Sequence, residues 1–206
     1  MLQAVALNCR RGERQLFSDL NVTVERGKLL AVVGENGSGK TSLLRIFSSL
    51  LPPEQGSVLW EGQNINQLKE LYSAQLMYLG HLNGIKDDLT AVENLMGSLA
   101  LAGEVCSRAG AQEALEAIGL KRPIHRLPSK VLSQGQKRRV ALARLWLSTR
   151  PLWLLDEPFT SLDTAATSVV TQRLLVHLQR GGLVVVVTHQ EIVLPTERVQ
   201  QLRLAG

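Results

Sequence analysis

Eight consecutive residues, Gly34, Glu35, Asn36, Gly37, Ser38, Gly39, Lys40 and Thr41, follow the spacing G-x-x-x-x-G-K-[ST]. Each residue type has a task in holding a polyphosphate. Glycines let the main chain turn and approach an anion closely. Successive N–H groups then form a concave nest for phosphate oxygens. Lys40 supplies a point charge for the outer phosphates, and the Thr41 hydroxyl is a candidate Mg²⁺ ligand. The chemistry is that of a nucleoside triphosphate such as ATP. A Gly-rich turn can match such a pattern by chance, so the flanking elements decide.

A second constellation closes the apolar run Leu152-Trp153-Leu154-Leu155 with Asp156-Glu157-Pro158. Carboxylates at the end of a buried strand carry a severe desolvation penalty unless something pairs with them. Mg²⁺ on Asp156 is one such partner. Glu157, one residue further, is then placed to accept a proton from an attacking water. The bland alternative is an Asp-Glu-Pro turn at a strand end. A third constellation is Ser133-Gln134-Gly135-Gln136. It is an S-x-x-Q capping box, and the helix start it opens could also face a phosphate.

The elements that must hold these residues are legible in the hydrophobic pattern. Residues 29–33 form an apolar run sized for one buried strand, and Leu43, Leu44, Ile46 and Phe47 then recur at helical spacing. Strand, loop and helix in that order bring a positive helix end to a phosphate. Leu20, Val22 and Val24 alternate as in a strand, and 57–60 is a short strand. Thr90-Ala91-Val92-Glu93 opens a helix to about residue 102, and 112–118 continues an amphipathic pattern. The helix from Ser133 runs through Val140, Ala141, Ala143, Leu145 and Leu147. Strands are predicted at 152–155, 183–188 and 199–204, with a helix at 164–179 and a short helix or turn from Glu191. The organisation is an α/β core, about 1–79 and 150–206, interrupted by a helical lobe at about 80–149.

Composition excludes several classes. The 206 residues are 45% apolar and 20% charged, ordinary for a soluble globular domain. No apolar run approaches the roughly 18 residues that span a bilayer, and no signal peptide is expected at the N-terminus. Cys9 and Cys106 are isolated and make neither a metal nor a redox motif. The net charge of +5 is spread over Arg10, Arg11 and Arg14, then Lys121, Arg122 and Arg126, then Lys137, Arg138 and Arg139. No aromatics interleave with them as stacking platforms, so no nucleic-acid partner is expected. They read as solvated faces, or as a mild attraction to an anionic membrane surface.

Taken with Leu132 before it, the Ser133 motif resembles the signature Leu-Ser-Gly-Gly-Gln of the ATP-binding-cassette family, with Gln134 in place of the first glycine. Ser161-Leu162-Asp163 is similar to that family's D-loop, and Thr188-His189 to its switch histidine. The resemblance covers nearly the whole chain. It implies an α/β phosphate-loop NTPase cassette with a mixed-sheet core and an inserted helical lobe. It also implies two copies packed head to tail, each ATP lying between one chain's phosphate loop and the other's Ser133, Gly135 and Gln136. Glu157 would activate water and His189 would contact the γ-phosphate.

Two positions depart from the family pattern. His81 stands where a glutamine usually joins core and lobe. Histidine can donate, accept or gain a proton near neutral pH, which would make coupling pH-sensitive. Arg11 stands where an aromatic usually stacks on adenine. A guanidinium plane can also stack on a base, or Arg11 is simply solvated.

A narrower resemblance rests on residues 80–86, 89–95, 139–147 and 156–160, which are similar to the ATPases of cytochrome c maturation. It implies an ATPase on the cytoplasmic face of a bacterial inner membrane, paired with an integral membrane subunit. Its hydrolysis would power haem delivery or release of a haem-loaded chaperone. No direct haem site is evident, since neither His81 nor His125 has c-type attachment spacing. The alternatives are a cassette for another exporter, of lipids or drugs, a nucleotide-gated clamp with little turnover, or a cassette acting on DNA or ribosomes. The last usually carries a long coiled coil or a second cassette, and this chain has one phosphate loop and no sustained heptads.

Overall fold

The computed structural model describes residues 1–204. The chain opens with two long antiparallel strands, β1 (Leu2–Arg11) and β2 (Arg14–Val24). Strand β3 (Leu29–Gly34) leads through the glycine-rich loop into helix α1 (Lys40–Phe47). Strands β4 (Gln55–Trp60) and β5 (Gln63–Asn64) follow, then the single turns α2 (Ile65–Leu68) and α3 (Glu70–Ser73) and strand β6 (Leu76–Leu79). Helices α4 (Ala91–Leu101), α5 (Arg108–Ala117), α6 (Gln134–Leu142) and α7 (Arg144–Leu147) form the middle, with 3-10 turns at Arg122–Arg126 and Ser129–Val131. The last third holds β7 (Leu152–Asp156), α8 (Thr164–Gln179), β8 (Leu183–Val187), a 3-10 turn at Thr196–Arg198 and β9 (Val199–Leu204).

The strands divide into two sheets. One has the order β2-β1-β4-β5 and pairs antiparallel throughout. The other has the order β6-β7-β8-β3-β9, with β7–β8, β8–β3 and β3–β9 parallel. The mixed character expected from the sequence is thus split between an antiparallel sheet and one in which β7, β8, β3 and β9 run parallel. Every residue of β7 and β8 is buried, which explains their unbroken apolar runs: a central parallel strand is covered on both faces. In β1 burial alternates instead, and the register slips near Ala6, whose φ is 48°.

By its internal contacts the chain forms two units. The first comprises residues 1–78, 150–157 and 175–206. Its core joins both sheets and α1 through Leu43, Leu44, Ile46, Phe47, Leu154 and Val185. The second comprises 79–149 and 158–174, and its core includes Val92, Leu95, Leu115, Val140 and Leu142. Helix α8 starts in the second and ends in the first.

Both expected capping boxes are present. Thr90 accepts from Glu93 N while the Glu93 carboxylate accepts from Thr90 N, and Ser133 and Gln136 do the same for α6. The single helix expected after Ser133 is interrupted at Ala143, which keeps right-handed helical dihedrals, so the path continues. Helix α5 begins four residues before the expected 112, because Ser107 caps it by accepting from Gly110 N at 3.0 Å. The short strand β6 falls where the sequence pattern predicts no element.

Candidate functional site

In the first unit the glycine-rich loop is wedged between β3 and α1. Helix α1 has no side-chain cap: its N-cap residue is Gly39, at φ 99°. Its first N–H groups have no side-chain acceptor among the described residues, and such a helix end attracts an anion. Glycine is required at 39 on two counts. The left-handed backbone disfavours any other residue, and a Cβ there would lie 3.0 Å from Leu16 Cβ and 3.2 Å from Phe17 Cδ1. Strand β2 thus supports the loop from beneath.

Lys40 is 7% exposed, and its ammonium donates to Gly34 O at 2.7 Å and Glu35 O at 2.8 Å. The carbonyls of the loop's entry hold the charge that an anion would claim. Ser38 Oγ is buried and has no hydrogen-bond partner among the described residues. An orphaned buried hydroxyl is unfavourable unless something completes it. Glu35, Asn36 and Gly37 are exposed, and a cleft of about 730 Å³ beside the loop is lined by Gly34, Glu35, Asn36, Thr188, His189 and Arg203 among others.

Thr41 and Asp156 come together across this unit. The Thr41 hydroxyl donates to Asp156 Oδ2 at 3.1 Å, and Asp156 is 1% exposed at the end of β7. No cluster of three His, Cys, Asp or Glu able to hold a metal exists among the described residues. A hydroxyl, one carboxylate and phosphate oxygens are nevertheless a set that suits Mg²⁺, which keeps few protein ligands. The uncapped helix end, the orphaned Ser38 hydroxyl and this oxygen pair fit a metal-bound polyphosphate.

Next in sequence, Glu157 adopts a left-handed conformation, φ 48°, and its N–H donates to Val187 O at 2.9 Å. For a non-glycine residue this is strained by about 1–2 kcal/mol. The turn sends its carboxylate toward the end of β8, where His189 Nε2 lies 3.3 Å from Glu157 Oε1. Glu157 is mostly sheltered and His189 half exposed, at 18% and 52%. A carboxylate beside an imidazole, one residue beyond the Asp156 that pairs with Thr41, is competent to accept a proton from water. Arg11, the other candidate in this unit, is exposed at the tip of the β1–β2 hairpin and faces Arg14 across it.

Ser133, Gly135, Gln136 and His81 belong to the second unit. Ser133 Oγ accepts from Gln136 N at 3.2 Å, and Ser133 N donates to Gln136 Oε1 at 2.9 Å. A Cβ on Gly135 would sit 2.7 Å from Ser161 O, so glycine there permits close approach of the Ser161-Leu162-Asp163 turn. His81 is exposed and lines a cleft of about 450 Å³ with Asn83, Gln134, Lys137, Arg138 and Ser161 among others.

Sequence reasoning passed over Arg138. The run 137–139 read as a solvated basic face, and the structure corrects this. Lys137 pairs with Asp87 and Arg139 with Asp163, while Arg138 is 3% exposed. Arg138 donates from Nε to Pro158 O at 3.2 Å and from Nη1 to Gly80 O at 3.2 Å and Asn83 Oδ1 at 3.1 Å. It ties the segment carrying His81 to the turn after Glu157. Its one sequence signal is the helical spacing to buried Ala141 and Leu142, three and four residues on, which its charge masks. Buried Asn94 is a second omission: its amide nitrogen meets Lys86 O, Leu89 O, Thr90 O and Ser129 Oγ at 2.9–3.1 Å.

Comparison with known proteins follows the same lines. The family described as ABC transporter matches residues 17–160. The cytochrome c biogenesis ATP-binding export protein CcmA of Dechloromonas aromatica is 51% identical over 204 residues, 99% of this chain and 100% of that protein. Its namesake in Nitrosomonas europaea is 50% identical, covering 100% of this chain and 96% of its own length. Among solved structures, the dimeric post-hydrolysis state of the ATP-binding cassette MJ0796, bound to ADP and Pi, superposes with a TM-score of 0.79 at 26% identity, covering 92% of this chain and 88% of that one.

Proposed function

Because this chain belongs to the ABC transporter family, and within it to the cytochrome c biogenesis ATP-binding export proteins, we propose that its ATP hydrolysis powers haem delivery, or release of a haem-loaded chaperone, at the cytoplasmic face of a bacterial inner membrane. It does so as a head-to-tail pair docked on an integral membrane subunit. One observation carries the enzymatic part: an uncapped helix start, the Thr41–Asp156 pair and the Glu157–His189 pair meet in a single unit. The family relationship carries the biological part. No helix among the described residues is long and apolar enough to cross a membrane, which fits a peripheral subunit.

The residues divide the work. The backbone of Gly34, Glu35, Asn36, Gly37, Ser38 and Gly39 cradles the phosphates, and Lys40 leaves its loop carbonyls for the outer oxygens. Thr41 and Asp156 would hold Mg²⁺, which when bound offsets the charge on the phosphate oxygens. Glu157 takes a proton as the water oxygen attacks the γ-phosphorus, and the bond to the β,γ-bridging oxygen breaks, giving ADP and phosphate. His189 orients Glu157 and reaches toward the γ-phosphate. Ser133, Gly135 and Gln136 act on the nucleotide of the second copy, and Arg11 lies on the base. His81 couples nucleotide state to the membrane subunit, so His81→Ala uncouples turnover from output.

The test is made in cells carrying only Lys40→Ala, beside wild type, with haem-stained c-type cytochromes as the readout. Loss of c-type cytochromes with other haem proteins intact supports the assignment. Normal c-type cytochromes at equal expression would leave an ATPase serving another exporter, such as one for lipids or drugs.

A further inference from the structure

The β1–β2 hairpin brings a second arginine to the phosphate loop. A Cβ built on Gly37 would lie 3.7 Å from Arg14 Nη1. The guanidinium therefore rests in contact range of the loop backbone, while Leu16 and Phe17, two and three residues on, pack beneath Gly39. The hairpin carries three arginines, and only one is engaged. Arg10 reaches Gln15 Oε1 at 3.4 Å and Glu54 Oε1 at 3.8 Å. Arg11 and Arg14 face each other across the strand pair, and neither has a carboxylate or hydrogen-bond partner among the described residues. Like charges opposed on adjacent strands destabilise a hairpin. An unneutralised Arg14 guanidinium beside an anion nest, with Arg11 opposite it on the neighbouring strand, is prepared for added negative charge.

We infer that Arg14 is a nucleotide-binding residue that holds the phosphate chain of ATP from the hairpin side of the loop, opposite Lys40's anchorage on the Gly34 and Glu35 carbonyls. This rests on the reading of the loop as the ATP site. Its planar fork can meet two phosphate oxygens at once, which a lysine cannot. Contact with phosphate rather than with the base makes its contribution independent of which purine is bound. In the absence of nucleotide Arg14 contributes nothing to stability, and its repulsion of Arg11 is relieved when phosphate arrives.

The test is equilibrium titration of the full chain with Mg-ATP and Mg-GTP, for wild type, Arg14→Ala, Arg14→Lys and Lys40→Ala. Arg14→Ala is expected to weaken both nucleotides alike, by about tenfold, with Arg14→Lys between it and wild type. The wild-type advantage should shrink as salt rises. The melting temperature of nucleotide-free Arg14→Ala should equal or slightly exceed that of wild type. Arg14→Gln, which keeps a polar stem, repeats the comparison should the alanine form melt lower. Unchanged affinity in Arg14→Ala with binding lost in Lys40→Ala overturns the inference and leaves the loop's assignment standing. A loss confined to ATP overturns it in favour of a base contact. Unchanged binding in Lys40→Ala removes the loop assignment itself.

Discussion

At the scale of single residues, the proposed chemistry centres on Glu157. Its strained backbone and its 3.3 Å approach to His189 fix a carboxylate where Asp156 and Thr41 already gather. Glu157→Gln keeps the side-chain length and the Val187 hydrogen bond but cannot accept a proton. Turnover, measured as phosphate release, should fall about 10²–10⁴-fold while ATP still binds. Normal turnover would remove Glu157 from the proton transfer. The sequence disclosed these residues because each motif is contiguous: strand, carboxylates and turn follow one another without a gap. What it could not disclose is partnership. The Glu157–His189 distance depends on parallel pairing of β7 with β8, and the position of Arg14 depends on a hairpin folding back over a loop more than twenty residues later.

At the scale of elements, local signals are legible in the sequence and long-range ones are not. Both capping boxes lie within four residues, so hydrogen bonding alone specifies them. Arg138 needed a fold to make it interior. The start of α8 shows how a local cap is reinforced from afar. Asp163 Oδ1 accepts from Ala166 N at 2.8 Å, and Arg139 Nη2 lies 2.6 Å from Asp163 Oδ2. The Ala166 N–H first, and Arg139 second, hold the Asp163 carboxyl below its ordinary range. A carboxyl lowered on folding stabilises above its unfolded pKa, about 3.9, and loses that contribution as pH falls through the folded value. Asp163→Ala should therefore melt roughly 2–4 °C below wild type at neutral pH. The gap should close in acid below both values. An equal gap in melts at both pH extremes would show that the ionised cap is not the cause. Gly135 offers a second element-scale test. With Ser161 O only 2.7 Å from the added Cβ, Gly135→Ala must push α6 and the 161–163 turn apart, and should destabilise by about 1–3 kcal/mol in denaturant unfolding.

At the scale of the whole molecule, the question is whether one chain completes an ATP site. The first unit holds the phosphate loop, Asp156, Glu157 and His189, and the second holds Ser133, Gly135 and Gln136. In the head-to-tail pair proposed above, each ATP would use the loop of one copy and the Ser133 motif of the other. Mixing two defective chains tests this directly. Lys40→Ala disables its own loop and leaves its Ser133 motif intact. Gln136→Glu keeps the capping box, since glutamate also serves there, but sets a negative charge toward the partner's phosphate. In the mixed pair, one site combines both defects and the other combines neither. Random pairing makes half the dimers mixed, each with one sound site of two, so turnover should recover to roughly a quarter of wild type. Sites completed within a single chain would show no recovery on mixing, because each chain would keep its own defect.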